Sequence, residues 1–517
     1  MVSRLEDEPR SWDVLVIGGG ASGLGCAIES ASRGYRTALF EAADFARGTS
    51  SRSTKLVHGG VRYLKQGNVA LVLEALKERG LLRRNAPHVV GELPFVVPSY
   101  DWWEAPFYGI GLRLYDMLAG KLGFGPSRNL SREETLELLP TIETEGLRGG
   151  VIYYDGQFDD ARLAIALAAT AASQGAVVLN YAPVVRLVKK GEVARGLVAR
   201  DEETGREIAV EGKVVVNATG PFADSVRRLD EADPLPMIRP SQGVHIVLPR
   251  EFLPGTSAIM VPHTDDGRVL FAIPWHGRVV VGTTDTPIEK VSFEPSPLPE
   301  EIDFLLEHAA RYLTKDPKRL DILSAFAGIR PLAGPADGGG TAAVSRDHLV
   351  HISRSGLVTL AGGKWTTYRK MAEDAIDQAA LVAGLEEKPS VTATLRIHGY
   401  HTDPSCFGDL ARYGAEAPSV AALFREDPRY QEKIHPALEV KRGEVVWAAR
   451  REMARTVEDV LSRRTRALVL DARSALAAAP SVADLLGETL RKSEEWRRAQ
   501  IRDFERVARN SLPAAAV

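Results

Sequence analysis

The stretch that most constrains this chain lies near its N-terminus, where residues 13–18 read DVLVIG and run directly into GGASGLGCAIESASRG. A short, unbroken apolar run rich in β-branched residues is the pattern of a parallel strand buried on both faces. The residues after it turn sharply and become helical, and a second short strand, TALFE, ends at Glu41. This is a βαβ unit. Its turn, Gly18-Gly19-Gly20-Ala21-Ser22-Gly23, satisfies G-x-G-x-x-G between a strand and a helix. Gly18 permits the tight turn, Gly20 lets backbone approach a pyrophosphate, and Gly23 allows close helix–sheet packing. The helix opening at Ala21 and Ser22 offers its N–H groups to the anion. Glu41 stands where a carboxylate can accept from ribose hydroxyls. The chain is therefore expected to bind a dinucleotide.

At roughly 150 residues per domain, a 517-residue chain holds two to four domains. With 44% hydrophobic and 26% charged residues it has a soluble globular composition, and a net charge of −3 provides no basic field for nucleic acid. Two cysteines, Cys26 and Cys406, are too few for a disulfide framework or a four-thiolate zinc site, so no metal is expected and a reducing, cytoplasmic setting fits. The N-terminus lacks an apolar leader and no run of about 18 apolar residues occurs, which disfavours secretion and membrane spanning but not lying on a membrane. Short β runs with turn signals between about 240 and 290 predict an antiparallel sheet. Residues 385–405 read as a connector, and 406–517 as almost wholly helical. The run Arg463, Arg464, Arg466 reads as a solvated helix face. A single fingerprint close to the N-terminus of so long a chain favours permanently held FAD over NAD.

The stretches IGGGASGLG, TSSRSTKLVHGGVRYL, VNATGPFAD, GTTD, AGIRPL and GGKWTTYRKMA resemble the FAD-dependent glycerol-3-phosphate dehydrogenases, within the D-amino-acid-oxidase-like flavoproteins. Leu24 and Glu29, on the first helix, depart from the family's small residue and Asp. The resemblance implies a Rossmann-like FAD-binding domain (about 12–95, 145–235 and 340–385) interleaved with an antiparallel-sheet substrate domain (about 96–144 and 236–339), then a helical C-terminal cap over 391–517. It implies that Thr49, Ser50, Ser51, Ser53, Lys55, Leu56 and His58 wrap the flavin and its pyrophosphate. Ala218 and Gly220 would approach the adenine side, and Gly363, Lys364 and Thr366 would sit beside the isoalloxazine. FAD is expected to be non-covalent.

The implied substrate, sn-glycerol 3-phosphate, makes two chemical demands. Its phosphate needs cations in a dehydrated pocket, for which Arg62, Arg330, Arg346 and Lys364 are the candidates, with Tyr63 and Thr366 as further substrate-binding residues. Arg330 stands out because it lies between apolar AFAGI and PLAG, where an unpaired guanidinium is costly. The C2 alcohol must lose a proton as its hydride leaves, which points to histidine: His58 as base or alcohol-polarising group, His245 second. A quinone is the implied electron acceptor. Residues 102–122, with Trp102 and Trp103 before a helical pattern, suggest contact with a membrane surface, at the inner face of the cytoplasmic membrane. Helical spacing puts Phe107, Gly111, Leu114, Leu118 and Leu122 on one face, with Arg113 and Asp116 towards the other. A homodimer is a further expectation. The competing readings are a glycerol-3-phosphate oxidase using oxygen, an amine or amino-acid oxidase on the same fold, and a non-catalytic flavin-binding subunit.

Overall fold

Two sheets divide most of the strands in the computed structural model. It describes residue 5 and residues 11–60, 68–101, 104–261, 264, 269–334 and 347–513, the side chains of 105–107 and 121 excepted. Arg62, Tyr63, Trp102, Trp103 and Arg346 lie outside the described residues, as does the Phe107 side chain.

The first sheet is built around the strand Trp12–Ile17, flanked in parallel by Thr37–Phe40 and Glu207–Asn217; Val177–Leu179 and Val358–Gly362 extend it, also in parallel. Val14, Leu15 and Val16 have no exposed surface, as a doubly covered strand requires. One face of the sheet packs on the helices Ala21–Ser32, Asp160–Ser173 and Tyr368–Ala383, whose small residues Ala27, Ala164 and Ala372 let the backbones come close. The strands Val184–Lys190 and Val193–Arg200 form an antiparallel extension that covers part of the other face.

The second sheet is ten-stranded and antiparallel except where Ala258–Val261 runs parallel to Val90–Ser99. Its longest pairings join Val90–Ser99 to Gly149–Phe158 and Ile238–Pro249 to Ser324–Ala333. The strands Val90–Ser99 and Gly149–Phe158 thus sit largely in stretches expected to belong with the nucleotide-binding sheet. Their partner choice is non-local, so alternation along one strand carries no trace of it. The C-terminal helices Arg442–Arg451, Ala472–Leu490 and Glu494–Arg509 close around a core of their own, in which Val445, Val482 and Leu486 are fully buried.

The helix Glu104–Ala119 faces the core with Leu112 and Tyr115, because the Tyr115 hydroxyl is drawn inwards to Asp155 at 2.8 Å and accepts from the Gly59 amide at 2.8 Å. Its open side carries Ile110 and Met117, each 72% exposed, with Leu114 at 40%, while Leu118 is half-buried. The exposed apolar stripe is therefore Ile110–Leu114–Met117, displaced from the face that spacing alone picks out.

Asp155 also accepts from Arg79 at 2.8 Å, and both side chains are buried. Replacing Asp155 by Ala leaves a buried guanidinium without its counter-charge. The expected cost is about 3–5 kcal/mol, read as a shifted midpoint in chemical denaturation, and a midpoint equal to that of the parent protein would contradict it.

Candidate flavin and substrate site

At the carboxyl end of Trp12–Ile17 the chain turns through Gly18, whose φ of +107° disfavours any side chain. A Cβ on Gly23 would overlap the Gly18 carbonyl, so the helix can seat itself this close only with glycine there. The helix begins at Ala21 with Gly20 as N-cap, no capping side chain and no acidic residue in its first turn. The Ala21 amide donates to Ser50 Oγ at 2.9 Å, and the rest of this helix end is open to an anion. Glu41 accepts from the Gly19 amide at 2.5 Å and from the Ala43 amide at 2.9 Å, which fixes the carboxylate at the end of the second strand. Burial raises its pKa despite those two donors.

These elements form one wall of a cleft with about 1290 Å³ of atom-free space, its open mouth included. It runs from Glu41, Pro183 and Val184, past Gly18–Ser22 and Ala46–Ser50, to Gly362–Trp365 and Pro331. Its length, its glycine cradle and the uncapped helix end fit a dinucleotide. Of the residues expected at the cofactor, Gly18, Gly20, Ala21, Ser22, Glu41, Thr49, Ser50, Ala218, Gly220, Gly363 and Lys364 line it. The others do not. Gly23 serves packing, Ser51 is buried, and Leu56 pairs in the second sheet opposite Gln157. Ser53 donates through its amide and hydroxyl to Asp160, and Lys55 Nζ reaches Asp160 at 2.7 Å and the Ser51 carbonyl at 2.8 Å. The Lys55 side chain is wholly buried, and burial pushes its pKa down to about 8 against the pull of Asp160.

Arg47, Trp365 and Phe293 line the cleft without having been expected there. Arg47 adjoins the TSSRS phrase and Trp365 lies within GGKWTT, so a wider reading of those phrases reaches both. Phe293, stacked on Phe222 at 4.3 Å, comes from a distant loop with no local sequence signature.

Four of the expected substrate residues fall into two pairs, His58 with Thr366 and His245 with Arg330. Thr366 Oγ1 accepts from the His58 amide at 3.2 Å, and the His58 side chain is half-buried. Trp365 Nε1 donates to the Ser50 carbonyl at 3.0 Å, tying this end to the cofactor loop. Arg330 donates to Asp285 (3.2 Å), Thr283 Oγ1 (3.0 Å) and the Thr284 carbonyl (3.0 Å), which fixes its guanidinium. His245 is buried, stacks on Phe326 at 4.9 Å and lies 2.9 Å from Thr54 Oγ1 through Nε2. Its Nδ1 meets no hydrogen-bonding partner among the described residues.

The FAD-dependent oxidoreductase family model matches residues 13–369, and the C-terminal domain of alpha-glycerophosphate oxidase matches 357–497. Mitochondrial glycerol-3-phosphate dehydrogenase of Mus musculus is 41% identical over 93% of this chain and 71% of its own length; that of Arabidopsis thaliana is 44% identical over 92% and 82%. The chain belongs to the FAD-dependent glycerol-3-phosphate dehydrogenases. A solved structure of a family member from Bacillus halodurans, complexed with FAD, superposes with a TM-score of 0.80 at 29% identity, covering 98% of this chain and 96% of that one. FAD is accordingly the protein's cofactor, and the glycine cradle and open helix end of the cleft fit it.

The segment around Arg463, Arg464 and Arg466 corrects the expectation of a solvated face, since all three side chains are buried. Arg463 Nε donates to Asp44 at 2.6 Å, Arg464 Nη2 to Asp44 at 2.8 Å, and Arg466 Nη2 to Asp160 at 2.8 Å. A charge run says nothing of carboxylates 306 to 420 residues away, and those carboxylates are what draw it inwards.

Burial, together with the charges of Lys55 and Arg330, holds the His245 imidazole well below its ordinary pKa. The unfolded chain takes up this proton near pH 6.5 while the folded chain does not, so stability falls as pH drops below 6.5. His245→Gln should flatten that acid limb by up to about 1.4 kcal/mol per pH unit. Urea midpoints of both proteins between pH 7 and 5 provide the comparison, and parallel curves would refute it.

Proposed function

We propose that the protein oxidises sn-glycerol 3-phosphate to dihydroxyacetone phosphate and passes the electrons to a quinone. Bound FAD supplies the hydride acceptor for C2. The reading rests chiefly on Arg330, a cation held in fixed orientation beside Pro331 of the cleft wall. Its planar fork suits a phosphate, with Lys364 from the cleft, Arg62, Tyr63, Arg346 and Thr366 completing the grip. Among the two histidines, His58 is the better base. It is half-buried and reachable, whereas His245 is depressed so far that it binds a proton poorly. His245, neutral and steadied by Thr54, is suited to orient the alcohol.

Arg330→Ala should lower kcat/KM for glycerol 3-phosphate by on the order of 10²-fold in folded, flavin-replete protein, from loss of a charge-assisted contact. A parent-like value would remove Arg330 from the phosphate site. Anaerobic stopped-flow reduction of the flavin by glycerol 3-phosphate, followed by reoxidation with a soluble quinone or with oxygen, tests both halves of the reaction. Faster reoxidation by oxygen would favour an oxidase.

The quinone acceptor gives the stripe Ile110–Leu114–Met117 a role as a membrane contact. Among the described residues no helix is long and apolar enough to cross a membrane. An exposed stripe of this kind can rest in the lipid interface, each buried side chain contributing roughly 1.5–3 kcal/mol. Ile110→Glu combined with Met117→Glu should reduce co-sedimentation with phospholipid vesicles at least tenfold while leaving turnover with a soluble acceptor intact. Equal binding by both proteins would exclude this face.

A further inference from the structure

We infer that the segment Glu458–Arg466 of the C-terminal helical region is a clamp that holds the cofactor loop in its FAD-binding shape, making Arg466, Arg464, Arg463 and Glu458 positioning residues for FAD. The loop between Asp44 and Ser51 forms a wall of the cleft, with Ala46, Arg47, Gly48, Thr49 and Ser50 facing the space. Regular strand structure ends at Phe40, so the sheet does not dictate the loop's path. Gly19, Ile329 and Trp365 each hold it by one hydrogen bond, and the clamp adds three further points.

At the loop's start, Asp44 is fully buried and receives Arg463 Nε at 2.6 Å together with Arg464 Nη1 and Nη2 at 2.5 and 2.8 Å. In the middle, Arg47 Nη2 reaches Glu458 at 3.0 Å. At the end, Arg466 Nη2 donates to the Ser51 carbonyl at 3.0 Å, next to Ser50, which lines the cleft. One short stretch makes all three contacts because its backbone is unusual. Asp459–Arg464 is a turn of π-helix, and Arg466 follows in the left-handed region at φ +64°. On a regular helix, side chains at 463, 464 and 466 would point in three directions. Wide turns of this sort recur where function demands a particular side-chain placement.

The clamp is itself braced. Arg463 also binds Glu458 and Asp459, and Asp459 accepts from the Tyr181 hydroxyl at 2.7 Å. Arg466 shares Asp160 with Lys55. Loop and clamp are thus tied by protein groups alone, and a ligand entering a site ordered in this way loses less free energy to immobilisation. Loosening the clamp should therefore weaken FAD binding more than it weakens the fold.

Arg466→Ala is the sharpest probe. Lys55 still faces both Asp160 and the Ser51 carbonyl, and the buried Asp159, which Arg466 approaches at 3.5 Å, keeps His276 and the Arg162 amide, so a fall in the apoprotein midpoint is expected beside the loss of FAD affinity. Glu458→Gln, a nearly isosteric change, tests the middle contact. For each variant, FAD is titrated into apoprotein by quenching of flavin fluorescence, and thermal midpoints are measured with and without FAD. The expected result is a dissociation constant raised at least tenfold and a smaller FAD-dependent rise in midpoint, with Arg466→Lys in between. If the Arg466→Ala protein does not fold, Glu458→Gln and Arg466→Lys give the reading. An unchanged dissociation constant, or apo and holo midpoints that fall by equal amounts, would make these residues structural only and overturn the proposal.

Discussion

Asp160 is a carboxylate with no access to water, and five groups converge on it: the amide and hydroxyl of Ser53, the Ala161 amide, the ammonium of Lys55 and the guanidinium of Arg466. It stands at the first turn of the helix Asp160–Ser173, where the helix dipole also favours negative charge. Such a cluster contributes little net stability when complete, because desolvation offsets most of the attraction, but losing one member is expensive. Its value lies in specificity. The segment that enters the second sheet contributes Ser53 and Lys55, the C-terminal helical region contributes Arg466, and Asp160 opens a helix packed on the first sheet, so the cluster ties the three together.

The proposed substrate end relies on a different device. His245 and Arg330 sit on neighbouring antiparallel strands in fixed register, Ser241 opposite Arg330 and His245 opposite Phe326. The strand of His245 is laddered on both sides, whereas that of Arg330 is laddered on one side and its guanidinium is held by Asp285, Thr283 and Thr284, so both side chains have a defined placement. The nucleotide cleft is thus shaped by latched loops and the proposed substrate end by the second sheet.

What could be read in the sequence was what local pattern encodes. DVLVIGGGASGLG announces strand, turn and helix because steric and burial constraints act within a few residues, and the Gly18–Gly23 geometry follows. Glu41 and the TSS phrase were legible for the same reason. Long-range choices were not. The strands Val90–Ser99 and Gly149–Phe158 are buried along most of their length, a pattern compatible with either sheet, and their pairing with one another is what assigns them to the second. Arg463, Arg464 and Arg466 look like solvated charges until Asp44 and Asp160 are placed beside them. The orientation of Glu104–Ala119 turned on one hydroxyl, that of Tyr115, seeking a buried carboxylate. Phe293 had no local cue at all.

The fingerprint opens the chain, yet the last contact that shapes its loop comes from Arg466. On the ribosome, the glycine turn and first strands emerge hundreds of residues before the segment that locks Asp44 and Ser51 into place. Flavin capture is consequently a late event in the protein's biogenesis. A chain interrupted anywhere before the helical region carries the nucleotide signature without a finished nucleotide site.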